Sequence, residues 1–146
     1  MNNQQRRLWL RAVLLTGALY CAIGIGFSSF AARSSSQRMV VAWNVASFVV
    51  SLVVFAVHIS YDYFGLRNRP LIVAWHTSLA VALGSFLLAV SANINSFRVA
   101  NSQHGLLAIA LVVWPLMVGI PAFVVALIAT GGLHFFRRAE RIDPKQ

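Results

Sequence analysis

The stretch MVVAWNVASFVVSLVVFAVHISYDYF, residues 39–64, decides how the rest of the chain is read. No Asp, Glu, Lys or Arg occurs in it before Asp62. Its apolar residues run continuously and do not alternate with polar ones, as the strands of a membrane barrel would require. About 20 such residues wound into a helix cross the roughly 30 Å hydrocarbon core of a bilayer. Lipid offers the backbone no hydrogen-bonding partner, so the segment must satisfy its own amides and carbonyls as a helix.

Three further segments of the same kind flank it, at 8–30, 71–92 and 105–136. The connections AARSSSQR (31–38), GLRNRP (65–70) and NINSFRVANSQH (93–104) hold the turn-forming residues and much of the charge between the segments. Across its 146 residues the chain is 59% hydrophobic and 10% charged. Soluble domains average about 25% charged residues, so lipid is the main solvent expected here. These features predict an all-α membrane protein: one domain over 1–146, a four-transmembrane-helix antiparallel bundle.

The net charge of +9 is not the footprint of a nucleic-acid binder, because the basic residues gather at the ends of the apolar segments. Arg6, Arg7, Arg11, Arg67, Arg69, Arg137, Arg138, Arg141 and Lys145 fall on one side of the bundle. Arg33, Arg38 and Arg98 fall on the other. Nine basic residues against three predict that both termini are cytoplasmic, in a bacterial plasma (inner) membrane. The first segment ends in small residues spaced as in a signal peptide. At 23 residues, however, it exceeds the 7–15 of a signal core and is expected to stay in the membrane. Cys21 is the single cysteine, which rules out an internal disulfide.

The fourth segment spans 32 residues and contains Pro115 and Pro121, each of which removes a helix hydrogen bond. A tilted, kinked helix is expected, with a broken helix lining a cavity as the alternative. Trp43 and Trp114 are expected at the outer interface, and Trp9 and Trp75 at the inner one. Small residues mark the faces that should pack. They are Gly17, Cys21, Gly24 and Ser28 on the first helix, and Ala80, Gly84 and Ser91, with His76 and Asn95, on the third. The fourth helix offers Gly119, Ala122, Ala126 and Ala129.

The second helix carries a polar line. Asn44, Ser51 and His58 recur every seven residues, with Ser47 and Asp62 on the same broad face. That face would be costly against lipid and is expected to look into the bundle. His58 lies nine residues before Arg67 and His76 nine after it, so a hairpin sets the two histidines at similar depth. Asp62, one turn below His58, is placed to accept its N–H, with Arg67 or Arg69 as a rival partner.

Three readings of His58, Asp62 and His76 follow. The leading one is structural: the histidines hydrogen-bond to one another, to Asp62 or to serines and hold the hairpin together. A second is haem b ligation by His58 and His76, with His134 as a diagonal partner to His58. A third is a proton pathway through all three residues. His104 is expected to be solvated, and the tail RRAERIDPKQ, with Glu140 and Asp143, to be frayed. No GxSxG, Walker or HExxH sequence occurs. Catalytic and metal-ligating residues are therefore not expected, and no cofactor is required. The expected function is that of a small multi-pass interaction or accessory subunit, partnered by lipid, by other membrane subunits or by itself. A haem b- or quinone-binding membrane anchor and a small His/Asp transporter are the alternatives.

Overall fold

A computed structural model describes residues 3–66, 68–98 and 104–142. Arg67, Asp143 and Lys145 lie outside the described residues, as do the side chains of His104 and Glu140. Four long helices make up nearly all of it: α1 (Asn3–Ala32), α2 (Gln37–Ser60), α3 (Pro70–Arg98) and α4 (His104–Ile142). All four are long and apolar enough to cross a membrane. A short π-helical turn, Tyr61–Gly65, closes α2.

The helices outrun the segments read from sequence. Helix α3 continues through Asn93 to Arg98, and α4 through the tail to Ile142, where a long loop and a frayed end were expected. The reason is local: neither extension contains a proline or glycine that would stop a helix once it has started. Helix α4 is continuous across Pro115 and Pro121. The two prolines withhold an amide donor from the Leu111 and Met117 carbonyls without ending the helix.

Helix α3 is the central element, packed along α1 on one side and α4 on the other. Small residues set both seams, as their spacing predicts. A Cβ on Gly84 would stand 2.6 Å from the Cβ of Tyr20 and 3.1 Å from the Gly17 carbonyl oxygen. Gly17 in turn admits Leu83, and Gly24 admits Leu88. On the other side Gly119 admits Ala82, and the Ser78 hydroxyl donates to the Gly119 carbonyl at 2.8 Å. Thr130, fully buried, donates to the Ala126 carbonyl of its own helix at 2.7 Å. Interhelical hydrogen bonds between membrane helices average about 0.6 kcal/mol. Ser78→Ala should therefore cost about that much, read as a small midpoint shift in unfolding from detergent into sodium dodecyl sulfate.

Helix α2 is different. It packs on α1, touches α3 only lightly, and shares no packed seam with α4. His58 and Ile59, at its last turn, are its only buried residues. The bundle is thus held shut at the end where α2 meets α3 and stands open between α2 and α4 further along.

Candidate functional site

Two polar regions lie on this frame, one buried at the 65–70 turn and one lining the open groove.

The turn region is organised by Asp62, which is 1% exposed. Its carboxylate accepts from His76 Nδ1 at 2.9 Å through one oxygen and from the Asn68 amide at 2.9 Å through the other. His58 bonds elsewhere: its Nδ1 lies 3.1 Å from the Thr16 hydroxyl on α1. The expected Asp62–His58 bond within α2 is therefore replaced by an Asp62–His76 bond across the hairpin. Ser60 and Tyr61 keep α-helical angles (φ −61°, ψ −45°), so Asp62 still stands one turn below His58. Its carboxylate turns across the hairpin because His76 and Asn68 stand there as donors while the His58 ring turns to Thr16. Asn68 fills the place expected of Arg69, which is exposed.

Trp9 of α1 packs against this set. Its ring lies 4.8 Å from the ring of His76, centroid to centroid, and its indole N–H is buried without a partner. The His58 Nε2 and the Thr77 hydroxyl are likewise buried and unpartnered. Asp62, His76, Asn68 and Trp9 thus form one set spanning three elements, and His58 is tied beside it to α1. His134 is exposed and stands apart from them. Among the described residues no group of three His, Cys, Asp or Glu side chains is disposed to hold a metal ion.

The second region is a groove of about 600 Å³ between α2 and α4. Asn44, Ser47, Ser51 and Phe55 of α2 form one wall, and Trp114, Val118, Pro121 and Val125 of α4 the other. The floor comes from Tyr20 and Gly24 of α1 with Val81, Ser85 and Leu88 of α3. The polar line of α2 was expected to look into a closed bundle. Its upper three members face this open groove, and only His58 and Asp62 are sealed at its foot. Neither His58 nor His76 lines the groove; the lining ends at Phe55, one turn short of His58.

The sequence reading did not single out Thr16, Tyr20, Asn68 or Thr77. The first two were legible. They stand four residues apart in an otherwise apolar run, so they share a face of α1.

No family model matches the chain, and no curated protein or solved structure matches it.

Proposed function

We propose that the chain is a small accessory subunit of a membrane complex whose working surface is the groove between α2 and α4, which holds an apolar, membrane-soluble molecule. The supporting observation is the groove itself. A helix as poorly packed as α2 would be expected to show lipid an apolar surface, yet it turns Asn44, Ser47 and Ser51 toward a cleft floored by two other helices.

The groove's 600 Å³ lies in the range of small-molecule sites. The wall from Asn44 to Phe55 is about 16 Å long at 1.5 Å per residue. Ligand sites run from about 300 to 1,000 Å³, with mainly apolar walls and a few placed polar groups. The opening between α2 and α4 faces sideways, so the molecule is taken up from the bilayer. The bias of basic residues supports an orientation with both termini on the cytoplasmic side of a bacterial plasma membrane, which would set the groove in the middle and outer parts of the bilayer. The Asp62 set then serves as the fixed base on which α2 stands.

The test is mass spectrometry of lipids extracted from the detergent-purified protein. Wild type should retain an apolar molecule at near-stoichiometric ratio, and Ser51→Phe, which fills the groove from its loosest wall, should lose it while keeping the same unfolding midpoint. Retention by the variant, or none by wild type, refutes the reading.

A further inference from the structure

The buried set at the 65–70 turn has a charge to balance. Asp62 is 1% exposed, and an ionised carboxylate sealed in an apolar interior is strongly unfavourable without a cation beside it. Arg6, Arg7 and Arg11 of α1 and Arg69 of the turn are all exposed. Among the described residues, none of them forms an ion pair with Asp62, whose one ionisable partner is His76. The other groups gathered here are His58 of the same helix, Trp9 and Thr16 of α1, and Asn68 of the turn. His134 of α4 is exposed.

The surroundings choose between the two histidines. His58 Nδ1 meets the Thr16 hydroxyl at 3.1 Å, and its Nε2 is buried without a partner. An imidazolium donates from both ring nitrogens, so a charged His58 would leave an N–H unmet in the interior. His76 is placed otherwise. Its Nδ1 lies 2.9 Å from the Asp62 carboxylate, and its other nitrogen is not sealed in the way that His58 Nε2 is. The Trp9 indole lies 4.8 Å from its ring, centroid to centroid. A carboxylate at hydrogen-bond distance stabilises a cationic ring. An indole within about 6 Å adds cation–π attraction. Both neighbours of His76 therefore favour its charged form.

We infer that the turn is a proton-binding site, in which His76 is held as an imidazolium between the Asp62 carboxylate and the Trp9 indole. The proton adds to Nε2 of the neutral ring, while Nδ1–H stays directed at Asp62. One bound proton thus neutralises Asp62 and joins three elements: α1 through Trp9, the end of α2 through Asp62, and α3 through His76. Its loss leaves an unbalanced carboxylate at the end where α2 meets α3 and loosens that junction.

The experiment is nitrogen-15 NMR of the histidine-labelled protein in nanodiscs at neutral pH, with His76→Gln assigning the signal. An imidazolium shows two protonated ring nitrogens of nearly equal shift, and a neutral ring shows one protonated and one bare nitrogen far apart. His76 should give the first pattern. Asp62→Asn keeps an oxygen acceptor for Nδ1 but removes the charge, and should convert His76 to the second. Raising the pH of wild type should convert it as well. Trp9 emission, quenched by the imidazolium and read as the difference between wild type and Trp9→Phe, should rise in step. A neutral His76 in wild type at neutral pH overturns the inference. An imidazolium that persists in folded Asp62→Asn also overturns it, because the carboxylate would then not be what holds the proton. Should Asp62→Asn not fold, the wild-type spectrum and its alkaline titration decide alone: conversion of His76 with no change in Trp9 emission removes Trp9 from the site and overturns the three-element junction.

Discussion

Gly84→Ala will cost about 2–3 kcal/mol of stability, an unusually large effect for a single added methyl. The new Cβ would lie 2.6 Å from the Tyr20 Cβ and 3.1 Å from the Gly17 carbonyl oxygen. Both are atoms fixed to the α1 backbone, so no rotamer change relieves the clash. The helices must move apart, and overpacking of this kind costs about 1–3 kcal/mol. In lipid the loss is compounded, because close van der Waals packing is what joins the helices. Gly26 is the internal control, since a Cβ there meets nothing within 4 Å. Gly26→Ala should be neutral or stabilising by up to about 1 kcal/mol through helix propensity. Unfolding of both variants in mixed micelles decides the matter. Equal midpoints for Gly84→Ala and Gly26→Ala would mean that α1 and α3 do not approach as described.

Asp62→Ala should be more damaging still, at about 3–5 kcal/mol. Asp62 is 1% exposed and holds the His76 ring and the Asn68 amide through separate oxygens. Its removal leaves the buried His76 N–H and the half-buried Asn68 amide without an acceptor, and the unmet desolvation cost exceeds the worth of the bonds themselves. The double-mutant cycle is the sharper measurement. His76→Ala deletes the same contact, so Asp62→Ala with His76→Ala should destabilise by clearly less than the two single changes added together. Simple additivity would show that the two side chains do not bond in the membrane. His58→Ala, whose partner is Thr16 on α1, should couple to Asp62→Ala clearly more weakly than His76→Ala does. The sequence-based expectation of an Asp62–His58 bond predicts the opposite.

These variants touch the two features that sequence reading treated differently. Gly84, Gly17, Gly24 and Gly119 were legible as packing positions, because small residues at helical spacing have one main use between membrane helices. The partners of Asp62 were not. Spacing sets Asp62 one turn below His58, but which neighbour its carboxylate meets depends on what α3 and the 65–70 turn bring beside it.

The polar line of α2 shows the same division. Its spacing fixed which residues share a face, and the cost of polar groups in lipid fixed that the face would not look outward. Spacing carries no information about what stands opposite. That depends on how α1, α3 and α4 leave room, and α4 packs chiefly on α3, so the face opens on a groove.

What the chain determined by itself is therefore the number and span of its helices and the faces by which they join. Continuous hydropathy, backbone self-satisfaction in lipid and the spacing of small residues are local quantities that a linear string records. The tertiary structure alone decided that His76 and not His58 answers Asp62, that Tyr20 lines the floor of a groove, and that α2 and α4 stand apart. Each of these depends on distances between residues 14 or more positions apart, where the packing of whole helices, rather than any local preference, sets the geometry.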